Sequence, residues 1–470
     1  MKKNKIFIFL GILFCIYISL NYLIGKNSFL IVKILINQEK KEIIKKYFFP
    51  YKFISQQAET ITTDKEKILK QKKELDKIHG NLSFYELNYK KLNDEIKTQK
   101  IEHIKLDNGY YLEKHKLQQG FYSGINNKFP GSGYIDFYLF NIIILSSRGI
   151  LAYSKKSDDK LTFKQIKNNI NEFIGLRQFN KNNWFSLKDL KVYKDKVLIS
   201  YTEEILPDCW NTSVLIGEMN YKEIKFKKLF SPNECVHSTN SLDGEFNASQ
   251  SGGRIIFLDD DNILLSLGEF RSRHLSQDIN SVNGKIIKIN IFDSKFEILS
   301  KGHRNPQGLY LDKENNFVLE TEHGPRGGDE INLIEFKKIK KNEVLNYGWP
   351  ISSAGEHYGG KTIGLVERNK LKYEKYPLYK SHKKYGFIEP LKSFVPSIGI
   401  SEITKIDKNK YVVSSMKEKS LYFFELNNKN KIVNLEKVPV LERVRDLSFK
   451  TGALYLFLED TASIGIIKLN

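Results

Sequence analysis

Beyond about residue 185, the chain alternates short apolar runs with polar clusters. The runs are rich in β-branched and aromatic residues; examples are 196–201, 254–258, 285–290, 410–414 and 453–458. Clusters of Asp, Asn and Lys such as 259–262 and 427–430 separate them, and this pattern predicts short β-strands joined by turns. Many short strands with few helices indicate a β-propeller or a β-sandwich. Strict internal repeats are not visible, so the pattern alone does not give the number of blades.

The N-terminal 25 residues have a different pattern. Lys2, Lys3 and Lys5 precede an uncharged apolar run from Ile6 to Gly25, about the length that crosses hydrocarbon. Basic residues stay on the cytoplasmic side of a membrane, so the remainder of the chain is expected outside. A cleaved signal peptide is the alternative, although the residues after Gly25 make a poor cleavage site. We predict that residues 1–25 form a single-pass anchor in a bacterial inner membrane, with the folded domain in the periplasm.

Residues 26–106 are predicted to form a membrane-proximal helical stalk. From Gln56 to Leu106 the chain lacks proline and carries Lys and Glu in runs, with apolar residues such as Leu75 and Ile78 at helical intervals. Gly80 interrupts this pattern and sustained heptads are absent, so a stalk or hairpin is favoured over a coiled coil. Residues 107–470 are predicted to form the β-domain.

Charge and cysteine content exclude several classes of function. The formal net charge is +20, from 75 basic and 55 acidic residues, but the excess is mostly lysine spread along the chain. It lacks the arginine and aromatic interleaving of a nucleic-acid groove, so no nucleic-acid partner is expected. Cys209 and Cys235 are the only cysteines in the predicted β-domain, and an oxidising compartment would permit them to pair. No zinc-ligand spacing, Gly-x-Ser-x-Gly motif or phosphate-binding loop is present.

Glycine, proline and charge are concentrated in three ordered segments. They are Gly302-His-Arg-Asn-Pro-Gln-Gly308, Thr321-Glu-His-Gly-Pro-Arg-Gly-Gly-Asp-Glu330 and Asn346-Tyr-Gly-Trp-Pro350. The Gly-Pro and Gly-Gly pairs place tight turns, and the polar side chains between them would converge on irregular backbone. We therefore predict a polar binding site built from these loops.

The three segments resemble motifs of the glucose/sorbosone dehydrogenase family, in the same order and at about the same spacing. The resemblance extends from about Phe185 to the C-terminus. The family comprises soluble aldose sugar dehydrogenases that use pyrroloquinoline quinone (PQQ) and calcium. The resemblance therefore implies an all-β fold, a six-bladed β-propeller, with a site on its axis to which separate blades contribute residues.

The same resemblance implies cofactor-binding residues. PQQ is a planar tricarboxylate, and guanidinium groups bind carboxylates with both oxygens engaged. Ca²⁺ prefers oxygen ligands, so backbone carbonyls are suitable. The implied contacts to PQQ are Arg304, Asn305, Gln307, Lys417, Arg443 and Arg445, and the implied calcium ligands are the carbonyls of Gly324 and Pro325. For Arg443 and Arg445 the alternative is a solvated strand, because Arg-Val-Arg alternation is common in half-exposed strands.

One departure from the family pattern concerns the catalytic base. The family has a histidine four residues before the arginine that corresponds to Arg254, and this histidine takes the proton of the anomeric hydroxyl. In this chain the position is Gln250, and an amide is not a general base near neutral pH. His237, on an upstream loop, and Glu269, at the acidic position of the family's Gly-Asp pair, are candidate replacements; burial would raise the pKa of such a carboxyl group.

Two functions follow from these observations. The first is a membrane-anchored periplasmic quinoprotein that oxidises an aldose sugar at C1 with PQQ and Ca²⁺. The second is a non-catalytic propeller that binds a sugar or an envelope glycan. The convergent cations favour the enzyme and Gln250 favours the binding protein. The sequence identifies neither the sugar nor the electron acceptor.

Overall fold

The computed structural model describes most of the predicted β-domain and a few residues before it. The described residues are 19, 63–71, 74, 96–97, 100–117, 132–147, 149–155, 161–174, 187–339, 343–358 and 367–469. The chain divides into two compact units, Met1–Leu75 and Asp76–Asn470. In the first unit, residues 63–71 are helical, within the segment predicted as a stalk. The predicted anchor, apart from residue 19, lies outside the described residues. Within the described part, no helix has the length and apolarity needed to cross a membrane.

The second unit is a six-bladed β-propeller, as the sequence predicts. Its strands are numbered in chain order. The first blade contains β1 (Ile96–Lys97), β4 (Gly133–Tyr138), β5 (Asn141–Ser146), β6 (Leu151–Lys155) and β7 (Thr162–Asn168), and β11 (Glu223–Ile224) pairs with β7. The second contains β8 (Leu187–Tyr193), β9 (Lys196–Leu206), β10 (Cys209–Glu218), β12 (Lys227–Phe230) and β13 (Val236–His237). The third contains β14 (Gly252–Phe257), β15 (Asn262–Leu267), β16 (Lys285–Asn290), β17 (Phe296–Lys301) and β21 (Leu345–Asn346).

The remaining three blades complete the ring. The fourth contains β18 (Pro306–Asp312), β19 (Phe317–Glu322), β20 (Asp329–Glu335) and β22 (Lys392–Phe394). The fifth contains β23 (Ile400–Asp407), β24 (Lys410–Ser415), β25 (Ser420–Leu426) and β26 (Ile432–Pro439). The sixth contains β2 (Lys100–Lys105), β3 (Tyr111–Lys116), β27 (Val444–Lys450), β28 (Ala453–Leu458) and β29 (Ser463–Lys468). One α-helix, α1 (Glu367–Lys375), lies between β21 and β22 in sequence.

The six innermost strands, β4, β8, β14, β18, β23 and β27, contact one another in a closed ring. We call the end of the ring where these strands begin the N-terminal mouth and the end where they finish the C-terminal mouth. The ring is closed by β3, which pairs with β29, so strands from both ends of the domain share the sixth blade. Pairing of this kind leaves no open sheet edge at the junction.

The helical prediction for 56–106 is wrong at its C-terminal end. Residues Ile96–Lys97 and Lys100–Lys105 are strands, and β2 pairs with β3 along its whole length. Its sequence Lys-Ile-Glu-His-Ile-Lys is short and ambiguous between helix and strand, and the partner strand decides the outcome.

The hydrophobic core consists of six clusters, one between each pair of consecutive blades. Both faces of each sheet are therefore covered. In β9, Val197 and Ile199 pack toward the first blade, whereas Leu198 packs toward the third. This arrangement follows from the two-residue period of a strand and explains why the strands read as continuous apolar runs.

A buried arginine at the axis links the inner strands. Nη1 of Arg254 lies 2.9 Å from carboxylate oxygens of both Asp189 and Asp446 and 3.1 Å from one of Glu402. Its Nε donates to the carbonyl of Gln307 at 2.5 Å. The carboxylates also accept backbone N–H groups of neighbouring blades, including Ile255 N–H to Asp189 at 2.7 Å. We call Arg254, Asp189, Glu402 and Asp446 the axial hub.

The hub closes the channel between the two mouths. A cavity of about 1050 Å³ opens at the C-terminal mouth, and Asp189, Glu402 and Asp446 line its inner end. Burial, together with repulsion between the three carboxylates, raises the pKa of Asp189 to about 6 and that of Glu402 to about 8, despite the adjacent guanidinium.

These shifts predict how stability changes with pH. A carboxyl group whose pKa is higher in the folded than in the unfolded state binds more protons when folded, so its stabilising contribution is lost as pH rises. We expect the free energy of unfolding to decrease between about pH 5 and pH 8 and the Glu402→Gln variant to show a shallower decrease. Denaturant titrations across this pH range would measure both slopes, and equal slopes would contradict the assignment.

Candidate functional site

The predicted site residues lie at the N-terminal mouth. The segment 302–305 leads into β18, the turn 323–328 joins β19 to β20, Lys417 lies between β24 and β25, and Arg443 immediately precedes β27. Gln250 precedes β14, and Glu269 follows β15. The connections at one end of the ring therefore bring together residues from the third to the sixth blade.

The turn 324–328 adopts a conformation that only glycine permits. A Cβ atom at Gly324 would lie 1.9 Å from the carbonyl oxygen of Gly328, and Gly328 itself has a φ of +76°. This close approach of the backbone explains the Gly-Pro and Gly-Gly pairs of the motif. The turn directs the carbonyls of its first residues toward Arg304.

Arg304 is buried and bound by backbone rather than by a carboxylate. Its Nη1 donates to the carbonyls of His323 and Gly324, both at 2.7 Å. Its guanidinium carbon lies 5.4 Å from the ring centroid of Trp349 and 5.9 Å from that of Tyr358. The turn and the two aromatic rings hold the guanidinium at the mouth.

Asn305 and Gln307 are held by each other and by the third blade. The side-chain oxygen of Asn305 accepts the Gly252 N–H and the Gln307 amide, both at 3.1 Å. Asn305 therefore fixes the entry into β14 as well as presenting its amide at the mouth. Gln307 is partly buried, and its backbone carbonyl contacts the axial hub.

Arg443 and Arg445 form ion pairs with one buried carboxylate. Nε of Arg443 lies 2.9 Å from Glu459, and Nη2 of Arg445 lies 2.7 Å from the other oxygen of the same group. Both arginines are mostly buried, so neither is a solvated strand residue. Lys417 is more exposed, and its ammonium donates to the carbonyl of Ser397 at 2.8 Å. Two guanidinium groups and one carboxylate leave a net positive charge on this side.

The donor set is suitable for an acidic planar cofactor. Arg443, Arg445 and Lys417 on one side and Arg304 on the other supply permanent positive charge, as a tricarboxylate requires. Buried polar atoms at the mouth that have no hydrogen-bond partner among the described residues include Trp349 Nε1 and Gln250 Oε1. Buried polar groups without partners are rare and costly, which is consistent with a bound polar molecule.

Calcium binding at the predicted carbonyls would involve Arg304. The Gly324 carbonyl already accepts a hydrogen bond from this guanidinium, and the Pro325 carbonyl accepts one from Ser397 at 3.3 Å. Each carbonyl has a second lone pair, but two positive charges on one oxygen repel each other. Ca²⁺ at both carbonyls therefore requires Arg304 to move away from Gly324.

Another group of side chains could also hold a metal ion. His303, Glu320 and Glu322 are buried, and one ligand atom from each lies within 4.8 Å of the others. His303 Nδ1 lies 3.3 Å from a carboxylate oxygen of Glu322, and Glu320 Oε1 has no hydrogen-bond partner among the described residues. Asp189, Glu402 and Asp446 are similarly close, but Arg254 occupies their centre.

Gln250 and Glu269 lie on adjoining turns. The Phe270 N–H donates to the Gln250 carbonyl at 2.8 Å, and the Glu269 N–H donates to the Arg304 carbonyl at 3.1 Å. Gln250 is 5% and Glu269 is 1% exposed. Burial raises the pKa of Glu269 to about 7, although the charges of Arg273 and Arg304 oppose the shift. Glu269 is thus a buried carboxyl group with a raised pKa, on a turn whose backbone adjoins that of Gln250, the residue at the base position.

Local backbone strain positions Glu269. The next two residues, Phe270 and Arg271, have φ values of +52° and +68°, a region that non-glycine residues seldom adopt. The fully buried ring of Phe270 packs with Trp210, Val236 and Ala248, which holds this turn in place. Strain of this kind is concentrated at functional sites.

The sequence relationships agree with this geometry. A family model described as glucose / sorbosone dehydrogenase matches residues 195–468, more than half of the chain. The chain belongs to the glucose/sorbosone dehydrogenase family. The match covers four of the six inner strands, all except β4 and β8, and it includes every predicted site residue.

Characterised relatives match parts of the chain. An aldose sugar dehydrogenase of Escherichia coli strain K12 is 36% identical over 125 residues, covering 24% of this chain and 32% of the relative. A quinoprotein glucose dehydrogenase B of Acinetobacter calcoaceticus is 36% identical over 85 residues, or 16% of each chain. An uncharacterised protein of Synechocystis is 28% identical over 226 residues, covering 42% of this chain and 50% of the relative. The chain thus spans at most about half the length of these relatives.

Solved structures show the same fold. The apo form of a soluble aldose sugar dehydrogenase from Escherichia coli aligns with a TM-score of 0.54 at 20% identity, covering 76% of this chain and 99% of the other. The PQQ-bound form of an aldose sugar dehydrogenase from Streptomyces coelicolor aligns with a TM-score of 0.52 at 16% identity, covering 76% and 98%. At these identities, the alignments show that this chain and the two solved proteins share the propeller fold.

The candidate base His237 is exposed to solvent. It lies on β13, where Val236 packs against Ala248 and Phe270 beside Gln250 and Glu269. Successive strand residues point to opposite sides, so the exposed side chain of His237 faces away from this cluster. Of the two candidates for the missing family base, the structure brings only Glu269 next to Gln250.

Cys209 and Cys235, the two cysteines of the predicted β-domain, form a disulfide. The bond joins the start of β10 to the loop before β13, and Trp210 and Val236 beside it pack under the Glu269 turn.

Removing a bond across 26 residues of sequence, in the Cys209→Ala/Cys235→Ala variant, should lower the free energy of unfolding by about 2–4 kcal/mol. Denaturant unfolding of oxidised, reduced and double-variant protein would measure this, and identical curves would contradict it.

Two residues of the site were missed by sequence reasoning. Lys188 lies on β8, and its ammonium donates to the Ala248 carbonyl at 3.2 Å, close to Gln250. Burial and the charge of Arg445 lower the pKa of Lys188 to about 7. Arg271, which follows Glu269, lies over the ring of Tyr358. A lysine within a strand and an arginine within a turn carry no sequence signal that distinguishes them from surface residues.

Proposed function

We propose that this protein oxidises an aldose sugar at C1, with PQQ and Ca²⁺ as cofactors and Glu269 as the proton acceptor. Family membership supports the reaction class, and the cations at the N-terminal mouth support the cofactor. The observation that carries the proposal is the buried Glu269 carboxyl group, which has no side-chain hydrogen-bond partner among the described residues and lies on a turn that adjoins Gln250. A buried carboxylate left without a partner is costly, unless a substrate hydroxyl completes its hydrogen bonding.

The residues of the chain have separate tasks in this proposal. Lys417, Arg443 and Arg445 would bind cofactor carboxylates, and Arg304 and Asn305 would contact its quinone edge. The bound quinone supplies a hydride acceptor, with Ca²⁺ polarising it. Glu269 takes the proton of the anomeric hydroxyl, and the Gln250 amide binds and orients that hydroxyl. With a pKa of about 7, Glu269 is near the optimum for a general base at neutral pH.

Lys188 is a second candidate for the proton acceptor. Its amine would be largely neutral above pH 7, and it contacts the carbonyl of Ala248 on the same connection as Gln250. Both groups predict a rate that rises through about pH 7. They differ in charge, because the active form of Lys188 is neutral and that of Glu269 is negative. Replacement of each residue separately distinguishes them.

The cellular location is part of the proposal. The apolar segment Ile6–Gly25 after Lys2, Lys3 and Lys5 supports an inner-membrane anchor with the propeller in the periplasm. The disulfide supports an oxidising compartment, because such bonds are rare where thiols are kept reduced. Electrons from the sugar would then pass to an acceptor outside the cytoplasm.

The second candidate function is a propeller that binds a sugar or envelope glycan without oxidising it. Gln250 at the family base position favours this function. The experiment is a titration of the full-length protein with PQQ and Ca²⁺, followed by dye reduction with a panel of aldoses. Binding with turnover supports the enzyme. Sugar binding without turnover supports the second candidate, and no PQQ binding contradicts the quinoprotein proposal.

The Gln250→His variant tests whether the pocket is otherwise intact. An imidazole at this position restores the family base, so the oxidation rate is expected to rise, by up to about 10²-fold if Glu269 is a weaker acceptor. Steady-state rates with PQQ and Ca²⁺ would measure this, with Gln165→His on the first blade as a control. A lower rate in Gln250→His would show that the amide itself is required.

A further inference from the structure

The side of the N-terminal mouth next to Glu269 carries more positive charge than its neighbours neutralise. Among the described residues, the cations there are Arg271, Arg273, Arg304, Lys372 and Lys375, and the carboxylates are Asp243, Glu245 and Glu269. Glu245 forms ion pairs with three of these cations. Its carboxylate lies 2.8 Å from Arg273 and 3.9 Å from Arg271, and it also pairs with Lys372. One carboxylate cannot neutralise three cations.

The pKa shifts of two of these groups fit a positive local potential, although Glu269, Glu245 and Asp243 raise the pKa of Arg273. Burial alone would raise the pKa of Glu245, but the charges of Arg273 and Lys372 lower it to about 2. Burial lowers the pKa of Arg304, and the charges of Arg273 and Arg271 lower it further. A carboxyl group that ionises easily and a guanidinium that is destabilised both indicate a positive local potential.

Arg271 is the partly exposed guanidinium of this group. Its side chain is 26% exposed, and its Nε is buried without a hydrogen-bond partner in the structure. The guanidinium carbon lies 5.1 Å from the ring centroid of Tyr358, and the same ring lies 5.9 Å from Arg304. Tyr358 is 49% exposed. The two guanidinium groups thus share one tyrosine ring at the entrance.

We propose that the sugar bound here carries an anionic group, a carboxylate or a phosphate, and that Arg271 binds this group. The proposal rests on the proposed function, because it places the anomeric carbon of the sugar at Glu269. Arg271 follows Glu269 by two residues on the same turn and shares the Tyr358 ring with Arg304, so we place the far end of the same sugar at Arg271. A guanidinium fork binds carboxylate and phosphate oxygens in the same geometry, and the unpartnered Nε supplies one of its donors. The Tyr358 ring would pack against the sugar face.

The test compares anionic with neutral sugars on the PQQ- and Ca²⁺-loaded full-length protein. Glucuronate against glucose tests a carboxylate, and glucose 6-phosphate against glucose tests a phosphate. We expect kcat/KM to be about tenfold or more higher for at least one anionic sugar, because a charge-assisted hydrogen bond contributes on this scale. The pair with the larger ratio identifies the anion. Ratios at or below one for both pairs would overturn the proposal.

The Arg271→Gln variant assigns the preference to this residue. We expect it to lower the anionic-to-neutral ratio about tenfold and to weaken the dependence of that ratio on NaCl concentration, since screening acts on the lost charge. Lys313→Gln is the matched control: it removes one positive charge at the C-terminal mouth, after β18, and should leave the ratio unchanged. Equal losses for anionic and neutral sugars, or a loss of PQQ affinity in Arg271→Gln, would show that Arg271 has another role.

A binding measurement separates this inference from the proposed reaction. If no sugar is oxidised, calorimetric titration with glucuronate, glucose 6-phosphate and glucose still reports the anionic preference. Arg271-dependent binding of an anionic sugar without turnover would contradict the oxidation proposal and support the anion site. Turnover of neutral sugars with no effect of Arg271→Gln would support oxidation and contradict the anion site.

Discussion

Replacing Glu269 with glutamine is expected to lower the oxidation rate about 10²- to 10⁴-fold, because the variant loses the proton acceptor while keeping the size of the side chain. The pH dependence should change as well. In the unaltered protein the ionised form of Glu269 accepts the proton, so the rate should rise as pH increases through about 7. In Glu269→Gln this rise should disappear. Steady-state rates between pH 5 and pH 9 with PQQ and Ca²⁺ would measure both effects.

Two controls make the Glu269 result specific. Glu297→Gln changes an exposed carboxylate on β17 in the same way and should leave rate and pH profile unaltered. PQQ affinity should be retained in Glu269→Gln, which excludes a collapsed pocket. If Glu269→Gln kept a rate that rises with pH around the same midpoint, Lys188 would be the proton acceptor. The Lys188→Met variant should then lose this rise. An unchanged rate in Glu269→Gln would contradict the assignment directly.

Replacing Arg254 with methionine is expected to lower the free energy of unfolding by about 3–5 kcal/mol, because it leaves buried carboxylates without their shared cation. Asp189, Asp446 and Glu402 would then repel one another at the axis. The loss should decrease at lower pH, where protonation removes the repulsion. Denaturant unfolding at pH 5 and pH 8 would measure the effect, with no sugar or cofactor required.

The control for Arg254 is an ion pair at the surface. Lys194 lies 2.5 Å from Asp260, but both side chains are well exposed, so Lys194→Met should shift the unfolding midpoint little. If Arg254→Met were as stable as the unaltered protein at both pH values, the axial hub would contribute nothing to holding the blades together. The hydrogen bonds from Arg254 to the carbonyls of Gln307 and Arg445 would then also contribute nothing to stability.

The strands were predictable because their pattern is local. The runs 196–201, 285–290 and 453–458 are strands in the structure, since β-branched residues between turn-forming clusters suit a sheet buried on both faces. The motif glycines were also informative, because the turn at Gly324 excludes any side chain. Residues 96–97 and 100–105 were predicted as helix and are strands, since their partners β7 and β3 lie elsewhere in the chain.

The chemistry of the site depends on burial, which a sequence does not display. Gln250 revealed in the sequence that the family base is missing, but its replacement could not be chosen there. His237 and Glu269 were equal candidates until the strand direction of β13 turned His237 outward and the Phe270 turn placed Glu269 beside Gln250. For Arg443 and Arg445 the sequence left a solvated strand as the alternative to a binding role, and their burial and ion pairs with Glu459 exclude it.

The sequence by itself determined the family, the strand content and the loss of the family histidine, because each depends on residues that are close together in the chain. Only the tertiary structure decided which side chains share a low-dielectric environment. Arg254 with its three carboxylates, Glu269 with its raised pKa and Arg271 with its unpartnered Nε all depend on residues far apart in the chain. Desolvation and Coulomb interactions act through space, so these properties arise only when the blades close around the axis.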